Sequence, residues 1–206
     1  MTIKKTLLSL ILCICVASAN AGNLYSYDKY LTYHYSQGRI TENAKAEDTI
    51  FAKYQAYNLF FAIVDTNKEL FATLLQNFES ILCMGSVDLY IPNKSSTLGK
   101  NSDTFDVGAA LFTAYSLLEA SEKFSEPEYK SKALKIIKCI KTNFVVKNEI
   151  LGELIVSAYD KNQNLFIRPS DFPLFVVQRL SELDPDLKKL LHNSYVAIVK
   201  GAGDGF

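Results

Sequence analysis

Lys53 places a cation on a helical stretch of the sequence, where it could donate a proton or hold an acidic group. A charge on a helix is more often simply solvated. Asp103 and Asp106 stand at the entry to a strongly helical segment, where carboxylates also complement the N-terminal dipole. His34 and His192 have no metal-ligand neighbours at a useful spacing, so no metal site is expected. No Ser-His-Asp elbow and no phosphate loop occurs, and no cofactor is expected. Asn93-Lys94-Ser95 matches a glycosylation sequon, which matters only in a eukaryotic secretory route.

These side chains belong to a chain of 206 residues with 22 basic and 22 acidic side chains. Its first 21 residues read as a cleavable signal peptide. Lys4 and Lys5 are followed by an apolar run, Leu7 to Val16, and by the small-residue exit Ala19-Asn20-Ala21. The run is too short for a spanning helix, which needs roughly 20 apolar residues. Neither Cys13 nor Cys15 follows a small residue, so lipid attachment is not expected. Cleavage after Ala21 leaves residues 22–206, enough for one domain with a real core. Loss of Lys4 and Lys5 brings the charge to about −2, which gives no reason to expect a nucleic-acid partner. With no second spanning segment, a periplasmic or secreted protein free of the membrane after cleavage is expected. Cys83 and Cys139 then remain; they could pair in an oxidising compartment, or stay buried as ordinary apolar side chains.

Periodicity predicts about seven helices. Tyr27, Tyr30, Leu31 and His34 mark one face of the first, and Phe51, Tyr54, Asn58 and Phe61 that of the second. Thr66-Asn67-Lys68-Glu69 reads as a capping box opening a third, which ends near Cys83 to Gly85. Val87 to Asp106, with Pro92, Asn93, Ser95, Ser96, Gly99 and Asn101, reads as a loop by composition. A strong helix follows over Val107 to Lys123. Ser125-Glu126-Pro127-Glu128 caps the next, with Pro tolerated in the first turn. Leu154 to Ala158 reads as a short strand, Ser170 and Asp171 as the start of a helix through Leu180, and Asp184-Pro185 as the cap of a last helix to about Lys200.

Four stretches, taken in order, carry a family resemblance: Tyr35-Ser36-Gln37-Gly38-Arg39-Ile40-Thr41, Ala52-Lys53-Tyr54-Gln55-Ala56-Tyr57-Asn58-Leu59-Phe60, Ala114-Tyr115-Ser116-Leu117-Leu118-Glu119-Ala120, and Phe166-Ile167-Arg168-Pro169-Ser170-Asp171-Phe172-Pro173. Their order and spacing resemble glycoside hydrolase family 8, the cellulase-like family that includes periplasmic endoglucanases accompanying bacterial cellulose synthesis. The resemblance covers only the N-terminal part of the family's domain. It implies an all-α fold, here an incomplete (α/α)6 barrel-like helical domain, with a groove for a β-1,4-glucan. It also implies inverting hydrolysis, in which one carboxylic acid protonates the leaving oxygen and a second carboxylate activates water.

The sequence departs from that family where the chemistry is decided. Lys53 stands in the general-acid position, ahead of Gln55 and Tyr57, which match the Gln and Tyr of the family's motif. A lysine cannot supply a neutral acid of tuned carboxyl pKa, and its cation opposes an oxocarbenium-like transition state. The family's Asp-Ala-Asp, which grips the sugar at the cleavage point, falls on Gly108-Ala109-Ala110; Asp106 could substitute only if the helix entry shifts. The general base lies in a later family segment. The resemblance therefore implies a catalytically degenerate protein with Gln55, Tyr57 and Asp106 as the sugar-binding residues, or a non-catalytic polysaccharide-binding or scaffolding protein. The tyrosines and phenylalanines between Tyr25 and Phe78 suit sugar stacking, although no Trp is present. About half a barrel would also expose an apolar edge, so either self-association through that edge or poor solubility is expected.

Overall fold

The structure, a computed structural model, describes residues 26–41, 49–82, 94–96, 105–159, 165–183 and 185–203. The signal peptide, Cys83, Asn93 and Asp103 lie outside the described residues.

Seven helices carry the described chain: α1 (Tyr27–His34), α2 (Ala52–Val64), α3 (Lys68–Leu82), α4 (Val107–Lys123), α5 (Pro127–Asn143), α6 (Leu174–Leu180) and α7 (Pro185–Gly203). Between them run short two-stranded antiparallel ladders: β1 (Tyr35–Ser36) with β2 (Arg39–Ile40), β3 (Thr49–Phe51) with β4 (Lys94–Ser96), β5 (Val145–Asn148) with β6 (Gly152–Ile155), and β7 (Ala158–Tyr159) with β8 (Leu165–Phe166). The expected single strand from Leu154 to Ala158 is thus two. Its first half pairs back on Val145–Asn148, and Val156 and Ser157 interrupt it.

Helix ends explain the chain reversals. Thr66 and Ser125 both adopt left-handed φ, 58° and 57°. After α2, Asn67 N–H donates to Ala62 O and Thr66 N–H to Ile63 O, a Schellman closure. The cap of α3 is therefore Asn67, whose Oδ1 accepts from Leu70 N–H, rather than the expected Thr66. So short a connection already uses Thr66 to close the preceding helix. Ser125 plays the same part after α4, and Pro127 occupies the first turn of α5, where a missing N–H costs nothing. Near the end of the chain, Pro173 disfavours helical geometry at Phe172, so α6 begins at Leu174 rather than at Ser170. Pro169–Asp171 forms only a 3-10 turn.

α2, α4 and α6 lie side by side, and α3, α5 and α7 each back onto the helix row. α4 is buried over nearly its whole length. Its small residues Ala109, Ala110, Ala114 and Ala120 let neighbouring backbones approach closely. Phe71, Leu74, Leu111, Leu117, Ile136 and Ile140 fill the core between the rows. Each such side chain contributes about 1.5–3 kcal/mol by leaving water. Across the outer helices, Lys132 of α5 binds Glu79 of α3 at 2.7 Å.

Candidate functional site

The starts of three helices meet. Lys53 is in the first turn of α2, Gly108 in the first turn of α4, and Asp171 closes the 3-10 turn ahead of α6. Lys53 Nζ lies 3.3 Å from Asp171 Oδ1, and Arg168 Nε donates to Asp171 Oδ2 at 2.9 Å. The Asp171 side chain is 0% exposed, while Lys53 is 29% and Arg168 50% exposed. A buried carboxylate is tolerable only when paired, and two cations reach in from the surface to pair this one.

Gly108 makes room for it. A Cβ at position 108 would lie 2.6 Å from Asp171 Oδ1 and 2.9 Å from Asp171 Cγ, closer than atoms can approach. The first turn of α4 therefore does face a carboxylate, delivered by the 3-10 turn instead of by α4 itself. Asp106 adds a second one nearby. It is buried, and its Oδ1 accepts from Ala109 N–H at 2.8 Å, so it is the N-cap of α4.

Beyond this charged end the helix faces are aromatic. Tyr57 meets Phe112 edge-on, centroids 4.7 Å apart, and Phe60 contacts both Phe112 and Tyr115. Phe175 touches the same two rings at 6.0 and 5.4 Å. Burial, and then the Glu119 carboxylate, pushes the Tyr115 phenol up and keeps it a proton donor. At the far end Arg179 of α6 binds Glu119 of α4 at 2.7 Å, and also Glu122 and Glu182. The Glu119 hydrogen bond first, then those of Glu122 and Glu182 against a partial loss of hydration, holds the guanidinium above its usual range.

Gln55 is turned toward the β1–β2 hairpin. It is buried, with Oε1 accepting from Ile40 N–H at 3.0 Å and Nε2 donating to Ile40 O. The amide completes the edge of the β1–β2 hairpin and bolts it to α2. That hairpin turns through Gln37 and Gly38, both left-handed. A Cβ on Gly38 would lie 2.1 Å from Asn77 Nδ2 of α3, so the backbone itself is the contact surface there. Of the residues singled out in the sequence, Lys53 meets Asp171, Tyr57 meets Phe112 of α4, Asp106 caps α4, and Gln55 bonds to Ile40. Sequence reasoning missed Asp171 as the partner of Lys53, 118 residues away. The one local signal was a glycine at 108 where the family resemblance expects a side chain.

Among the described residues no group of three or more His, Cys, Asp or Glu side chains could hold a metal ion. No described helix is long and apolar enough to cross a membrane. Cys139 lies buried on α5.

The family model for glycosyl hydrolases family 8 matches residues 2–180, and the chain belongs to that family. An endoglucanase of Xanthomonas axonopodis pv. citri (strain 306) is 27% identical over 159 residues, which span 72% of this chain and 41% of that protein. An endoglucanase of Salmonella typhi is 23% identical over 186 residues, 84% of this chain and 50% of that protein. The chain thus spans about half the length of the curated relatives it matches. Among solved structures, the endo-1,4-D-glucanase from Vibrio fischeri ES114 superposes with a TM-score of 0.71 at 21% identity, covering 81% of this chain and 52% of that one. The fold is accordingly the family's all-α architecture in part, an incomplete (α/α)6 barrel-like helical domain.

Proposed function

We propose that this chain is an exported, glucan-directed member of family 8 that does not hydrolyse. The observation that carries this reading is the ion pair of Lys53 with buried Asp171. The residue in the general-acid position is a cation already engaged with a carboxylate. A family 8 acid must instead be a protonated carboxyl beside the leaving oxygen. Endoglucanase relatives support a glucan as the polymer concerned, and the family resemblance points to its β-1,4-linked form. Release of reducing ends from soluble β-glucan by the purified mature protein, above a boiled control, would sink the proposal. Export rests on residues 1–21; N-terminal sequencing of protein from the expressing cell should begin at Gly22, and an intact Met1 would overturn it.

A second reading, glycan binding without chemistry, is favoured by the aromatic face of α2, α4 and α6. Tyr57 is the residue proposed to touch sugar there, whereas Gln55 and Asp106 act through the framework. Phe61, Val64, Leu174 and Phe175 leave apolar surface exposed on these helices, which also supports self-association. Sedimentation should show a concentration-dependent rise in mass, and a monomer at all concentrations would count against it.

A further inference from the structure

We propose that the groove between α6 and α7 is a two-fold interface with a second copy of this chain. The proposal names the surface for the self-association reading and rests on it. The groove is an open cavity of about 410 Å³. Its lining falls into three levels: Leu174 with Tyr195, Gln178 with His192, and Glu182 with Lys188. α6 and α7 follow one another closely and pack together, and a short connection makes neighbouring helices antiparallel. Each pair is centred on the start of α7. Both helices rise about 1.5 Å per residue, so the two members of a pair stand at the same height. Leu174 is 52% and Tyr195 39% exposed, and one turn further along α7 Val199 is 54% exposed. The family match ends at Leu180, so α7, one wall of the groove, lies outside it.

The pattern across the groove is its own complement. A two-fold axis along the groove sets α6 of one copy against α7 of the other at the same height, and every contact then occurs twice. Glu182 meets Lys188 of the second copy, Gln178 meets its His192, and Leu174 meets its Tyr195. Acid faces base, amide faces imidazole, and an aliphatic side chain faces an aromatic ring. The ionic level has capacity for this. Glu182 shares Arg179 with Glu119 and Glu122, so three carboxylates divide one guanidinium. Lys188 stands exposed at the opposite wall. Burial of the apolar end supplies the driving force, and the charged end fixes which copy-to-copy alignment is accepted. From Leu174 to Glu182 the groove runs about 12 Å along the helix axis. That is short against a standard interface of roughly 800 Å² per partner, so the dimer is weak and concentration-dependent.

The test is a charge exchange read by sedimentation. The mature chain should pass from monomer to dimer as its concentration rises, and stop there. Glu182→Lys and Lys188→Glu should each weaken the dimer about tenfold, since each sets like charges together twice. Mixed in equal amounts, the two variants should associate with one another as tightly as the unaltered chain does with itself, because both ionic contacts then join opposite signs. Tyr195→Asp should dissociate the dimer, while Phe61→Asp, on the exposed face of α2, should leave it intact. Single charge variants that dimerise normally overturn the interface. So does a mixture that fails to recover association although each variant keeps the circular dichroism of the unaltered chain. Dissociation by Phe61→Asp and not by Tyr195→Asp moves self-association to another surface and leaves the wider reading standing. Growth beyond the dimer overturns the two-fold closure. A monomer at every concentration overturns both the interface and the self-association.

Discussion

The α4–α6 helix pair carries an ionic cluster at each end, and the two are built in opposite ways. At the N-terminal end one buried carboxylate, Asp171, is served by two cations, Lys53 and Arg168. At the C-terminal end one cation, Arg179, is served by the carboxylates Glu119, Glu122 and Glu182. Glu122 and Glu182 are mostly exposed, so water and salt share the work there. Asp171 has no water to fall back on. The comparison teaches that contact distance does not measure dependence: the C-terminal cluster, with the shorter contacts, can lose a member and re-solvate, while the N-terminal one cannot.

The largest expected effect is that of Lys53→Glu. It removes a cation from Asp171 and sets a second carboxylate beside it. Denaturant unfolding should show a loss of about 3–5 kcal/mol, with no hydrolysis of soluble β-glucan gained. A stable, active variant would break the comparison. Gly108→Ala should come next, at about 1–3 kcal/mol, because its Cβ must displace the Asp171 carboxylate. Combining it with Asp171→Ala should give a total below the sum of the single effects by at least about 0.5 kcal/mol; strict additivity would refute the contact. Arg179→Ala should cost about 1 kcal/mol or less and shrink further in 1 M salt. The Lys53→Glu penalty should change little with salt. The smallest effect lies between the clusters. Burial and Glu119 raise the Tyr115 phenol, which favours its protonated form in the folded chain. The matching stability is present below the ordinary phenol pKa of about 10 and fades as pH rises above it. In Tyr115→Phe that alkaline loss should be smaller.

Helices were legible because their signals are local. The period of α4 and the Pro in the first turn of α5 sit within a few residues of what they determine. The start of α3 was read one residue early, since a Thr-x-x-Glu pattern describes a cap but not the left-handed closure that competes for the same Thr66. The β5–β6 hairpin was half seen, for pairing depends on a partner strand that periodicity does not name. The site was less legible still. Lys53 could be recognised as a cation where the resemblance expects an acid, yet its partner is brought near only by packing α2 against the turn before α6. Gln55 looked like a ligand because it matches a family position. Only the fold shows both ends of its amide turned toward Ile40.

In terms of tolerated substitutions, the contact between Gly108 and Asp171 behaves as an interlock. While residue 108 bears a side chain, Asp171 cannot lie where it does. Once Asp171 is seated and Lys53 is drawn to it, a side chain at 108 and an acid at 53 are each opposed by the structure. Residues 53, 108 and 171 are therefore coupled, and a change of character at one of them is costly unless the other two change with it.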